Sequence, residues 1–294
     1  MKLVHISDVH LQVPYHSIPA RRFWGRRLAG LFNLKVLGRQ SRFALAAATL
    51  REILGQAADL GANHVTFTGD ATALAFEQEF AAVREIFGDL LRSRGALSAI
   101  PGNHDMYTLG AVRHRRFAAA FAEALGSDLP VAVPGSLFPW VRLFDDGVAL
   151  IGVDSTIPSR LPFVARGAIG EAQLRSLTAA LRHSALRGRT IVLCLHHGPY
   201  RHDGTIDAPH HGLIDHAELI TVAADHGVSL ILHGHQHHPF IRAVPGRAVT
   251  ISNCGSSTMS GVAGFAVYDL DDRGVHGIRR VTLQQAPTAD DESA

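Results

Sequence analysis

The sequence holds only 2 cysteines in 294 residues, Cys194 and Cys254. That is too few for a disulfide framework or a cysteine-rich zinc site. No apolar run approaches the roughly 18 residues that span a bilayer. From Met1 to Asp8 there is only a handful of apolar residues, where a signal-peptide core would need about 7–15 in a row. The expectation is the first strand of a cytoplasmic protein. Net charge is nearly absent too: 28 Lys+Arg against 26 Asp+Glu leaves +2. Together with the lack of a recognisable nucleic-acid module, this weighs against a nucleic-acid partner. There is no internal repeat. What the chain does have is 47% hydrophobic and 18% charged residues, which is globular composition and excludes a disordered or collagen-like chain. It also has 19 histidines, so their positions become the question.

Short apolar, β-branched runs alternate with segments of helical period. The strand candidates are Leu3–Ser7, His64–Thr68, Leu97–Ile100, Val148–Val153, Thr190–Leu195 and Ser229–Leu232. The helical candidates are Arg42–Leu60, Ala75–Arg92, Gly110–Leu125, Glu171–Arg182 and Asp215–Asp225. Phe43, Ala47, Leu50, Leu54 and Ala57 recur at three- and four-residue steps, as one face of a helix requires. Such alternation predicts a layered α/β fold with buried strands. Beyond about residue 239, short alternating runs follow one another with no helix between them, and these predict antiparallel strands completing a second sheet packed on the first. The expected organisation is one domain over 1–285 with a cap insert at about 11–40. The polar stretch 286–294 is expected to be a disordered acidic tail.

The strongest strand candidates each run straight into metal-ligand side chains: Asp8-Val9-His10, Gly69-Asp70, Gly102-Asn103-His104-Asp105, His196-His197-Gly198-Pro199 and Gly234-His235-Gln236-His237. Ligands of α/β sheets bind outside the carboxyl ends of strands. Gathering these ends would bring Asp8, His10, Asp70, Asn103, His196, His235 and His237 together. The glycines ahead of Asp70, Asn103 and His235 permit tight turns and close backbone approach. Carboxylate, imidazole and amide oxygen without thiolate suit Mn, Fe, Zn or similar divalent ions. Seven such groups exceed one tetrahedral ion and suit two ions sharing a carboxylate.

The ordered series D-x-H, G-D, G-N-H-D, H-H-x-P, G-H-x-H, spanning Asp8 to His237, resembles the calcineurin-like metallophosphoesterase superfamily. The resemblance implies a four-layer α-β-β-α sandwich of two mixed sheets flanked by helices. It implies two divalent metal ions, one held by Asp8, His10, Asp70 and His237, the other by Asp70, Asn103, His196 and His235. It further implies that His104 contacts the substrate phosphoryl group and that Asp105 orients His104. The implied activity is phosphoester hydrolysis, most consistent with a phosphodiesterase, by a hydroxide bridging the two ions. Two departures stand out. The proline of the fourth block falls one place late, and His196 is taken as the ligand because it directly ends its strand. Ala71-Thr72 follows Gly69-Asp70 where an apolar residue and a downstream Asp or Asn are common.

One absence is local. From Leu11 to Arg51 there is no acidic residue, yet Arg21, Arg22, Arg26, Arg27, Lys35, Arg39, Arg42 and Arg51 all lie there. Interleaved with them, Trp24, Leu28, Leu31 and Phe32 share a helical face. A cationic amphipathic segment reads as a membrane-surface element through residues 21–42 at the inner face of a membrane. The alternative is a face packed on the core. Arg22 and Arg26, with His197 and His202 from the loop after the fourth block, are expected to contact substrate. A lipid-linked or nucleotide-type diester or diphosphate fits such a cap, as in the superfamily's UDP-diacylglucosamine hydrolases. A soluble cyclic nucleotide or glycerophosphodiester, a phosphomonoester, a nuclease substrate and a non-catalytic scaffold stand as alternatives.

Overall fold

The computed structural model describes residues 1–284 apart from 37, 94, 160, 162 and 163; the expected tail lies outside the described residues. Eleven strands form among them: β1 Lys2–Ile6, β2 His64–Phe67, β3 Leu97–Ala99, β4 Trp140–Leu143, β5 Val148–Gly152, β6 Thr190–Cys194, β7 Val228–His233, β8 Phe240–Ala243, β9 Thr250–Asn253, β10 Gly264–Asp271 and β11 Gly274–Thr282. The helices are α1 Arg26–Val36, α2 Arg39–Arg42, α3 Ala46–Asp59, α4 Glu77–Ile86, α5 Gly88–Arg92, α6 Leu109–Arg113, α7 Arg116–Ala120, α8 Glu171–Leu181 and α9 His216–Asp225.

Two mixed sheets result, ordered β11-β10-β1-β2-β3 and β4-β5-β6-β7-β9-β8, with helices flanking them. In the first sheet β1, β2 and β3 are parallel. In the second, β5, β6, β7 and β9 are parallel. Their residues are buried on both faces, as in β2, β5 and β6, which is why these runs read as continuous apolar segments. The sheets meet through apolar side chains and a few polar ties, such as Trp140 Nε1 donating to Ala99 O at 3.0 Å and Ser252 Oγ with Tyr268 OH at 2.8 Å.

The last four strands depart from the expected antiparallel completion of one sheet. β8 and β9 join the second sheet, where β9 runs parallel to β7, while β10 and β11 return to the first and β10 pairs antiparallel with β1. Hydrophobic alternation marks a half-buried strand but carries no information about which open edge it will pair with. Two expected helices are also each broken in two. The Ala75–Arg92 segment divides at Phe87, the cap shared by α4 and α5, and Gly110–Leu125 divides at Arg115, whose φ is +48°.

Arg26, Asn33, Arg39, Arg42 and Phe43 face the strand-end residues Asp70, Asn103 and His104, and the chain that carries Arg26 is pinned at one corner. The buried Glu79 carboxylate accepts from Leu74 N, Phe76 N and Tyr15 OH. Arg27 donates from Nε to Leu74 O and from Nη2 to Ala75 O, and its guanidinium lies 3.8 Å from the centroid of the Phe76 ring. At Gly30, a side chain would overlap the Leu74 and Tyr107 side chains, so with any other residue those two would have to shift where α1 presses against the body. No helix among the described residues is long and apolar enough to cross a membrane.

Candidate metal centre

Candidate ligands leave both sheets at the same end. Asp8 and His10 follow β1, Asp70 follows β2 and Asn103 follows β3, while His196 follows β6 and His235 and His237 follow β7. The cluster therefore bridges two sheets, and is not gathered at the edge of one. After β1 the chain stays beside the turn that follows β2: Asp8 N donates to Gly69 O at 3.0 Å and His10 N to Asp70 O at 2.9 Å. The backbones touch closely enough that a side chain at Gly69 would overlap Gly102, and one at Gly234 would overlap Ser7 and Asp8. Asp8, His10, Asp70, His235 and His237 all have left-handed backbone, with φ between +45° and +73°. Each such residue costs about 1–2 kcal/mol, and strain of this kind persists where surrounding structure fixes a functional geometry.

The side chains form two linked groups. In the first, His237 Nε2 is 3.3 Å from Asp8 Oδ1 and 2.9 Å from His10 Nε2. In the second, His196 Nε2 is 3.1 Å from Asn103 Oδ1 and 3.4 Å from Asp70 Oδ2. Asp70 Oδ2 is also 3.6 Å from His10 Nε2, so this carboxylate lies between the two groups. His235 packs beside His196, their ring centroids 5.2 Å apart, and its backbone N–H donates to both oxygens of Asp8.

The donor set fits divalent cations. His196 Nδ1–H donates to Thr68 O at 2.7 Å, so Nε2 turns its lone pair toward the Asp70 carboxylate oxygen. Only a proton or a metal ion makes that contact favourable. Burial by itself would lower the His196 imidazole, but facing Asp70 raises it to about 9. Burial likewise opposes ionisation of Asp70, yet His196, His104 and His10 hold its carboxyl well below the usual range. Asp8 is also held low, by His237 and His196 against burial. Two ionised carboxylates at 0–1% exposure need adjacent cations. Oxygen and nitrogen donors of this kind accept Mn, Fe or Zn.

His104 borders the cluster. Its Nδ1–H donates to Ala73 O at 2.7 Å and its ring stacks on Tyr107, which leaves Nε2 for a bound molecule. Burial, with Arg39 nearby and against the pull of Asp70, lowers its pKa to about 4. Asp105 does not orient that ring. Its carboxylate instead accepts from Ala71 N, Thr72 N, Thr72 Oγ1 and Gly102 N, tying the turn after β2 to the turn after β3. Burial and the neighbouring Asp70 push it up to about 7, while four donors on two oxygens favour the ionised form. Asp105→Asn would set an amide NH2 against backbone N–H groups. We expect about 2–3 kcal/mol of lost stability, lowering the thermal midpoint by roughly 5–10 °C. Melting in the presence of a chelator isolates this effect from metal binding, and an unchanged midpoint would count against it.

An open cleft of about 480 Å³ lies over the cluster, lined by Asp70, Asn103, His104, His235 and His237 from the strand ends and by Arg26, Asn33, Arg39, Arg42 and Phe43 from the cap. Of the expected substrate contacts, only Arg26 reaches it. Arg26 lies over the Tyr107 ring and donates to Ser159 O and Val164 O, bridging cap and facing loop. Arg22 pairs instead with Glu77, which also takes Arg116. His197 is fully buried, its Nδ1 bonded to Ser155 Oγ and its Nε2 to Ala165 O, so neither ring nitrogen is left for a substrate. His202 packs against His238 and does not line the cleft. Arg39 and Arg42 were visible only as members of the acid-free insert; Arg39 Nη2 lies 3.2 Å from His10 Nε2. His211 lines the cleft from the histidine-bearing loop after the fourth block, where histidines are expected either to contact substrate or to be solvated, whereas Tyr107 had no sequence signal, since it reaches the cleft from a loop.

A family model described as calcineurin-like phosphoesterase matches residues 1–239. No curated protein matches the sequence significantly. Among solved structures, a dimetal phosphatase from Danio rerio is similar at a TM-score of 0.66 and 13% identity, over 96% of this chain and 98% of that one. A purple acid phosphatase from yellow lupin (Lupinus luteus) seeds gives 0.52 and 11% over 92% and 49%. A sulfate thiohydrolase from Thermus thermophilus gives 0.50 and 17% over 99% and 58%. At these identities the likeness is one of fold, and the chemistry has to be argued from the site.

Proposed function

The chain belongs to the calcineurin-like phosphoesterase family and is a metal-dependent phosphoester hydrolase; from that premise we propose a phosphodiesterase acting on an ester whose phosphoryl group carries a bulky substituent. The position of Asp70 between two ligand groups, beneath a cleft edged by Arg26, Arg39 and Arg42, supports this reading most directly. A cleft of about 480 Å³ is far larger than a phosphate and has room for groups on both sides of a phosphorus.

In this reading Asp8, His10, Asp70 and His237 would hold one ion, and Asp70, Asn103, His196 and His235 the other. When bound, two such ions lower the pKa of a coordinated water and polarise phosphoryl oxygens. The chain's own residues do the rest. His104, fixed through Ala73 O, presents Nε2 to a phosphoryl or leaving-group oxygen. Arg39 and Arg42 offer planar donor forks suited to an anionic oxygen pair. Asp105 keeps two ligand-bearing turns in register. Buried, unpaired Cys194 and Cys254 support a reducing, cytoplasmic setting.

The test is turnover of bis-p-nitrophenyl phosphate against p-nitrophenyl phosphate, with Mn²⁺ supplied and then chelated. Expected are chelator-sensitive turnover of both and a diester kcat/KM about tenfold or more above the monoester, a difference of roughly 1.4 kcal/mol in transition-state binding. Preference for the monoester would overturn the diesterase assignment. Absence of metal-dependent turnover on either would overturn the catalytic reading of the site.

A further inference from the structure

The cap helix is turned the opposite way from an ordinary surface helix. Along α1, at 100° per residue, Arg27, Gly30 and Leu34 form the buried face, and Leu28, Phe32, Lys35 and Val36 form the face opposite. Leu28, Phe32 and Val36 are 54–61% exposed and Trp24, just ahead of the helix, is 86% exposed. Leu31 alone of the expected apolar face packs partly on the core. Arg26, Ala29 and Asn33 occupy the arc between the two faces and line the cleft, so the apolar stripe runs along the cleft's lip. Leu161, 64% exposed, lies on the loop whose Ser159 and Val164 carbonyls accept from Arg26. Three large apolar side chains contiguous on one helix, with Trp24 just ahead of it, mark an interaction surface, unlike apolar residues scattered singly.

Charge selects the partner. Arg21 and Lys35 are exposed beside the stripe, and no acid lies between Asp8 and Glu52. A second copy docking about a two-fold axis would set this basic patch against itself. An anionic bilayer satisfies both features, taking the apolar side chains into the acyl boundary and the cations at the headgroups. The helix is 11 residues long, enough to lie in the interface and too short to cross it. We propose that the outward face of α1, with Trp24 and Leu161, docks the protein on an anionic lipid surface and sets the cleft mouth against the headgroups. This docking stands whether or not the ester cleaved there is a diester.

The full-length, metal-loaded protein is mixed with phosphatidylcholine vesicles, with and without a quarter of phosphatidylglycerol, and followed by flotation and tryptophan emission. Trp140 is fully buried, so a blue shift on binding reports Trp24. The expected result is on the order of tenfold or more tighter partitioning to the anionic vesicles, with a blue shift. Leu28→Asp/Phe32→Asp should abolish both and keep wild-type turnover of bis-p-nitrophenyl phosphate. Lys35→Glu should weaken anionic binding with the stripe intact, which keeps the test open if the double variant folds poorly. Wild-type protein that fails to float overturns the proposal. So does a lipid-free dimer in light scattering that Leu28→Asp/Phe32→Asp dissolves, since the stripe would then be a self-association surface.

Discussion

Asp70→Ala should reduce bound metal from two ions per chain to one or none and lower kcat/KM for bis-p-nitrophenyl phosphate by about 10⁴-fold or more, equivalent to roughly 5.5 kcal/mol of transition-state stabilisation. The reason is position. Asp70 Oδ2 lies 3.6 Å from His10 Nε2 and 3.4 Å from His196 Nε2, so one side chain serves both ligand groups. Its other oxygen accepts from His104 N at 2.7 Å, so the same carboxylate also sets the His104 backbone. Alanine adds a separate cost, because Asp70 sits at φ +58°, a region that aspartate and asparagine tolerate better than other side-chain-bearing residues. Asp70→Asn is the matched control: it keeps the backbone and an oxygen for His104 N–H but removes the charge. Metal analysis and turnover on both variants separate charge from strain. Retention of two ions with a rate within tenfold of wild type would remove Asp70 from the centre of the site.

The second large effect is expected at His104. His104→Ala should keep both ions and lose about 10²–10⁴-fold in kcat, the range typical of a positioned proton-transfer or charge-stabilising side chain. Its Nδ1–H is committed to Ala73 O, and its ring is locked between Tyr107, stacked at 5.3 Å, and His10, edge-on at 4.6 Å. The ring is thus oriented with no contribution from Asp105. His104 also lies within ligand distance of His10 and Asp70, so the metal count decides its role. A variant that loses an ion along with activity would make His104 a ligand, and one that keeps wild-type rate would leave it without a chemical function.

Much of the fold was legible because β1, β2, β3, β5, β6 and β7 are buried on both sides and punctuated by polar turns. β4 escaped notice because Trp140–Leu143 is an edge strand buried only in its first half and interrupted by Arg142, so it lacks the continuous apolar run of the central strands. The breaks between α4 and α5 and between α6 and α7 escaped because helical periodicity survives a one-residue deviation such as Arg115 at φ +48°. At the site, Asp8, His10, Asp70, Asn103, His196, His235 and His237 were legible since each directly ends a strand or follows within a few residues, and strand ends are where sheets present ligands. His197 and Arg22 looked equally suitable by type and place. Burial satisfied one within the core, and Glu77 engaged the other.

The sequence by itself determined the chemistry on offer: oxygen and nitrogen donors at strand ends, glycines where backbones must touch, and a basic insert without acids. These are local properties, decided by residue type and by neighbours a few positions away. Tertiary structure decided what converged. It drew the ligand-bearing ends from two sheets, placed Asp70 between the two groups, and set Arg39 and Arg42 along the cleft while Arg22 went to Glu77. It also decided the facing of α1. Leu28 and Leu34 are the same residue on the same helix, but Leu34 meets the body and Leu28 meets water. Periodicity records that a helix has faces; which face is covered depends on chain distant in sequence, such as Leu74, Phe76 and Tyr107 packed beneath Arg27 and Gly30.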